Sequence, residues 1–222
     1  MNLIELVEIF LKNKIITVDG PAGSGKGRIA KYIARKWKHF HLDSGLLYRH
    51  FAYELLRNNI NIYNEKDIVN FIKELKKLSS KNRKNVRTER ISKLTSKISV
   101  YKKVRHFINK QQRIIVEKKI KNKGIVIEGR DIGSVVFKKA NIKLYIEVDI
   151  KIRAKRRHKQ LIDMGEQSIY PKILKEIKLR DKKDKNRKNS PLVIPKGANI
   201  IDNSNSFSCT IKQLNKILKK IN

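Results

Sequence analysis

The run Ile15-Ile16-Thr17-Val18-Asp19-Gly20-Pro21-Ala22-Gly23-Ser24-Gly25-Lys26-Gly27 constrains the fold more than any other stretch of the chain. Its first residues are apolar and β-branched, which predicts a buried strand. It then breaks into a glycine-rich turn, after which Ile29, Ile33 and Trp37 recur at helical spacing. Strand, turn and helix in that order, with Gly20-x-x-x-x-Gly25-Lys26 in the turn, have the spacing of a phosphate-binding loop. Residues without a Cβ let successive amides curl around a polyphosphate, and the helix N-terminus adds partial positive charge. Gly20, Pro21, Ala22, Gly23, Ser24, Gly25, Lys26 and Gly27 form the candidate nucleotide cradle, with Lys26 reaching toward the β and γ phosphates. Gly27 stands where a magnesium-holding Ser or Thr usually follows the lysine, so that hydroxyl contact is missing.

Further strands and helices alternate along the chain. A short run ending at Leu42 leads into Asp43-Ser44-Gly45, a polar turn that caps a helix with Leu46, Leu47, Phe51 and Leu55 on its apolar face. Asn58–Asn64 is a loop, Asp67–Leu78 a helix, and Ser79–Asn85 a charged, mobile connection. Two helices follow, one from Thr88 and one over Tyr101–Lys119. Strands are expected at Gly124–Ile127, Ile142–Val148 and Asn199–Asp202. Asp149 is placed to cap a helix whose Arg153, Arg156 and Arg157 project from one side, and a second basic helix covers Tyr170–Lys185. This alternation predicts an α/β fold, a parallel sheet flanked by helices, with ligands gathered at the carboxyl ends of the strands. Gly20–Lys26, Asp43–Gly45 and Gly129–Asp131 are all expected at that edge.

The length, 222 residues, suits one such domain and hardly two. Lys+Arg 54 against Asp+Glu 20 leaves a formal charge of +34, which on composition alone raises nucleic-acid binding. The lysines are spread along the whole chain and no nucleic-acid-reading motif accompanies them, so no dedicated nucleic-acid partner is expected. One cysteine, Cys209, excludes an intramolecular disulfide scaffold and fits a reducing, cytoplasmic setting. The five histidines lack metal-ligand spacing, and no protein-held metal site is assigned. Met1–Leu11 is interrupted by Glu5 and Glu8 and suits a short amphipathic helix better than a signal or membrane span. A monomer without membrane attachment is expected. No Ser/His/Asp or paired-carboxylate arrangement is evident, which favours an acceptor whose oxygen is already anionic and needs no general base.

Four segments together carry a resemblance: Gly20-Pro-Ala-Gly-Ser-Gly-Lys-Gly27, Leu42-Asp-Ser-Gly-Leu-Leu-Tyr-Arg49, Gly129-Arg-Asp-Ile-Gly133 and Arg180-Asp-Lys-Lys-Asp-Lys-Asn-Arg187. In order and spacing, from Ile15 to the C-terminus, the chain resembles the bacterial cytidylate kinases, P-loop enzymes that phosphorylate CMP and dCMP from ATP with Mg2+. The resemblance implies a core over residues 15–222, an acceptor-binding insertion at about 58–105, a lid at about 153–188, and a helical extension over 1–14. It implies Lys26, Arg153, Arg157 and Arg180 as catalytic groups, Arg153 and Arg157 lying on the lid over the ATP phosphates. Ser44, Tyr48 and Arg49 are implied around the acceptor monophosphate and its base, and Ser96 and Arg105 at cytosine. Arg130 and Asp131 are implied toward the acceptor's phosphate and sugar, and Asp184 with Arg187 at the sugar. The chain departs from the family pattern at Arg28, where Thr or Ser is usual, and at Leu75–Arg87, which is shorter. A kinase of another monophosphate such as UMP, and a basic nucleic-acid-binding protein with a degenerate loop, are the alternative readings.

Overall fold

The computed structural model describes residues 14–75, 78, 85–121 and 123–221. The amphipathic segment Met1–Leu11 and most of the connection Ser79–Asn85 lie outside the described residues. The chain divides into two compact units, Met1–Leu42 with Asn122–Asn222, and Asp43–Lys121.

The first unit is built on a five-stranded sheet. β1 (Ile15–Asp19), β2 (Phe40–Asp43), β3 (Ile125–Gly129), β4 (Ile142–Glu147) and β5 (Asn199–Asp202) stand in the order β2-β3-β1-β4-β5. β1 runs parallel to β3, with Asp19 opposite Gly129, and parallel to β4, with Asp19 opposite Tyr145; β4 and β5 are parallel too. β1 is therefore central. Its Ile16 and Val18 are fully buried, as a strand covered on both faces requires. α1 (Lys26–Lys36) packs Ile29, Ile33 and Trp37 into one core with Val126, Leu144 and Ile146. α6 (Ile150–Asp163) and α7 (Tyr170–Asn186) pack together, and α8 (Phe207–Ile221) returns Leu214 and Leu218 to the sheet core. Asp149 caps α6 as expected, accepting from the amides of Lys151 and Ile152.

The second unit is helical: α2 (Ser44–Arg57), α3 (Glu65–Glu74), a 3₁₀ turn (Asn85–Arg87), α4 (Glu89–Ile98) and α5 (Lys102–Ile120). Phe51 packs between Phe71 and Phe107, with Leu55, Ile68, Ile91 and Ile108 around them. Asp43 and Thr88 cap their helices through the amides of Leu46 and Ile91. α3 ends sooner than its apolar periodicity predicts. Leu75 leaves the helix in an extended conformation, and Leu78 joins the core from beyond the helix.

Two local expectations need correction. β3 extends through Glu128 and Gly129, because both stay in register with β1. Arg153, Arg156 and Arg157 do not share one environment. Arg153 is buried, while Arg156 turns to the loop after β5 and Arg157 to Gln160 on its own helix.

Candidate active site

Gly25 opens α1 in the left-handed region, with φ of 78°, where glycine alone is unstrained. Four carbonyls of the preceding loop are occupied. Arg130 Nη1 donates to Gly20 O at 2.6 Å, Arg153 Nη1 to Ala22 O at 3.1 Å and Asn203 Nδ2 to Ser24 O at 2.8 Å. Pro21 O accepts from Ser24 N and from Lys26 Nζ, the latter at 3.3 Å. With these oxygens tied down, the amides of Gly23, Gly25 and Gly27 carry no protein acceptor among the described residues. They are donors at the positive end of a helix, an arrangement whose chemistry suits an anion.

Carboxylates and guanidiniums interlock around this loop. Arg130 Nε lies 3.1 Å from Asp184 Oδ2, and Arg187 reaches both Asp184 and Asp131 at 3.6 Å. Arg153 Nη2 meets Asp181 at 2.6 Å, while its Nε donates to Val148 O. Burial lowers the Arg130 pKa, a shift partly offset by Asp184 and reinforced by Arg180. Arg180 is thereby part of the same electrostatic cluster. Burial likewise pushes the Tyr145 hydroxyl up, and Glu147, Asp181 and Asp19 add to the shift.

Two further carboxylates sit under the loop. Asp19 is fully buried, and its oxygens accept from Ile132 N at 2.9 Å and Gly133 N at 2.7 Å. Burial outweighs these hydrogen bonds and raises its pKa to about 6. Glu128 accepts from or pairs with His41 Nε2 at 2.9 Å, and its Oε2 lies 2.9 Å from the point where a Cβ on Gly27 would stand. A side chain at position 27 would therefore meet the Glu128 carboxylate.

The second unit holds its own set of candidates. Arg49 donates to Val86 O and to Ser92 Oγ, both at 3.3 Å. Arg105 is buried, donates to Ser99 O at 3.1 Å and lies 5.7 Å from the centroid of the Tyr48 ring. Tyr48 is part of the apolar core, and Ser44, the first residue of α2, is also buried. Ser96 is half-buried on α4, where its carbonyl accepts from Ser99 Oγ.

Among the sequence candidates, the loop, Lys26, Arg130, Asp131, Arg153, Arg180, Asp184 and Arg187 come together in the first unit. Arg157 does not join the carbonyl and carboxylate network; it is exposed and bonds Gln160. Sequence reasoning missed Asp19, Glu128 and Asn203. Asp19 and Glu128 carried a legible signal, since each is a charged residue closing an apolar strand. Asn203 carried none, being one polar residue in a polar loop. Arg28, the unusual residue after Gly27, stacks its guanidinium 3.8 Å over the Phe207 ring.

A sequence profile of the family described as cytidylate kinase matches residues 16–222. The chain is 37% identical over 194 residues to the cytidylate kinase of Bartonella tribocorum, covering 87% of this chain and 88% of that one. It is 37% identical over 215 residues to the cytidylate kinase of Thermosipho melanesiensis, covering 92% of this chain and 96% of the relative. With the cytidylate kinase of Rickettsia felis it shares 38% identity over 195 residues, 88% of this chain and 86% of that one.

Proposed function

The chain belongs to the cytidylate kinase family, and from that premise we propose that it transfers the γ-phosphoryl group of ATP to CMP or dCMP, giving ADP and CDP or dCDP. An anionic oxygen of the acceptor phosphate bonds to the γ phosphorus as the bond from that phosphorus to the β–γ bridging oxygen breaks. No proton has to be removed from the attacking oxygen, which agrees with the absence of an evident general base. The protein's part is positioning and fixed positive charge.

The loop supports the donor half of this reading: four of its carbonyls are engaged and its amides are left for a polyphosphate. Lys26, resting on Pro21 O, is the mobile charge that follows the γ-phosphoryl group. Arg153 and Arg180 stabilise charge developing during transfer. Arg157, exposed on α6, does so as part of a lid at about 153–188. Arg49 binds the acceptor phosphate beside Ser44 and Tyr48, Ser96 and Arg105 take the cytosine, and Arg130, Asp131, Asp184 and Arg187 take the phosphate and sugar side. An acceptor-binding insertion at about 58–105 and a helical extension over 1–14 complete the organisation. The reading includes a monomer working in the cytoplasm; among the described residues no helix is long and apolar enough to cross a membrane.

Mg2+ belongs to the same reading. It takes hard oxygen ligands and keeps several waters. The residues present fit it: Glu128 and Asp19 put two buried carboxylates, hard oxygen donors, close to Gly27 and Lys26. When bound, the ion neutralises charge on the β and γ phosphates.

The test is an acceptor panel with MgATP: CMP, dCMP, UMP, AMP and GMP. Turnover confined mainly to CMP and dCMP is expected. Equal rates on all five, or no consumption of ATP, overturn the reading.

A further inference from the structure

Asn203 lies just beyond the carboxyl end of β5, buried, and 179 residues from the loop carbonyl it binds. Its side-chain amide has only one orientation that satisfies its surroundings. Thr210 Oγ1, itself buried, donates to Asn203 Oδ1 at 2.7 Å, so Nδ2 is turned toward Ser24 O. The backbone of Asn203 is held as well. Its N–H donates to Glu147 O at 2.9 Å, and its carbonyl accepts from Arg156 Nη1 at 2.8 Å. Arg156 also donates to Ser204 O and Asn205 O, both at 3.2 Å, so one guanidinium braces the whole turn that presents Asn203.

The peptide this amide grips is the one between Ser24 and Gly25. A Cβ on Gly25 would stand 2.4 Å from Asn203 Nδ2, so the contact closes directly over the glycine that begins α1. A peptide is planar, so fixing the Ser24 oxygen on one side fixes the Gly25 N–H on the other. We infer that Asn203, oriented by Thr210, is a positioning residue for the donor nucleotide: it sets the direction of the Gly25 amide in the phosphate cradle. The relay touches no candidate acceptor residue. Its loss therefore acts on the polyphosphate and spares the monophosphate. This inference rests on the loop being the donor site.

The experiment is titration calorimetry on the full chain with MgATP, Mg-tripolyphosphate and CMP as separate ligands, for wild type, Asn203→Ala, Thr210→Val and the double variant. Asn203→Ala is expected to weaken MgATP and Mg-tripolyphosphate alike by about tenfold, in line with one buried hydrogen bond lost, and to leave CMP within twofold. Thr210→Val keeps the side-chain shape, guards against a folding defect in the first variant, and is expected to cost about threefold by releasing the amide to flip. The double variant should be no weaker than Asn203→Ala, because both changes break one relay. Unchanged MgATP affinity in both single variants, or equal losses for MgATP and CMP, overturns the inference. Failure of the wild type to bind MgATP overturns the donor reading beneath it.

Discussion

The two units of this protein are held together by different physics. In the sheet unit, Asp19, Glu128, Asp131, Arg153, Asp181 and Asn203 are all buried, and each has a polar partner near the carboxyl ends of the strands. In the helical unit the centre is a cluster of Phe51, Phe71 and Phe107 with aliphatic neighbours; Arg49 reaches neutral oxygens at its margin, and among the described residues the buried polar side chains, Arg105 one of them, include no carboxylate. Burying polar groups is unfavourable unless each finds a partner, but once partnered they fix directions that apolar packing leaves loose. The difference teaches where precision is needed. Transfer of a phosphoryl group requires donors aimed within fractions of an ångström, and in the function proposed above the sheet unit is the part that supplies them.

Four experiments break or sharpen this contrast, from the largest effect down. Lys26→Met should lower kcat by about a thousandfold while the thermal midpoint stays within about two degrees, since the hydrogen bond of Lys26 Nζ to Pro21 O is long at 3.3 Å and contributes little to the fold. Steady-state assays and a melting curve check it. Arg153→Ala should destabilise the sheet unit by about 3 to 4 kcal/mol, because Asp181 is left buried without its partner. Urea unfolding followed by fluorescence of the one tryptophan, Trp37 in that unit's core, measures it.

The third experiment uses pH. The Asp19 pKa is about 6 in the fold against 3.8 for an ordinary aspartate, so the native state favours its protonated form. Its contribution is most favourable below about pH 4, is lost through the window from about 4 to 6, and above that costs roughly 3 kcal/mol. Asp19→Asn should therefore gain stability over wild type by about that amount between pH 4 and pH 7, as read from unfolding curves at both pH values. A constant difference across the window would count against the burial argument. Last, Arg49→Ala in the helical unit should raise KM for CMP by about thirtyfold, with KM for ATP and the melting temperature nearly unchanged. A large stability loss there would erase the distinction between the units.

Local rules made much of the fold legible. The strand–turn–helix at Ile15–Lys36, the caps at Asp43, Thr88 and Asp149, and the strand at Asn199–Asp202 each depend on residues a few positions apart. So did the Gly20–Gly27 candidate, because a turn that needs bare backbone announces itself in glycine. The environment of each arginine was not legible. Arg153, Arg156 and Arg157 have helical spacing that suggests one shared face, yet Arg153 is buried against Ala22 and Asp181, and Arg157 stays in solvent. Nothing within the helix distinguishes them; what lies beside the helix does.

Local geometry was settled by the order of the amino acids alone: a glycine-rich turn opening a helix, a supply of guanidiniums and an α/β alternation, all written in short-range patterns. Which side chain grips which loop carbonyl was decided only when the strands assembled as β2-β3-β1-β4-β5. That order brings Arg130, Arg153 and Asn203 to a loop lying 110, 131 and 179 residues earlier in the chain. Such contacts are consequences of sheet register and helix packing, interactions between distant segments that no window of neighbouring residues contains.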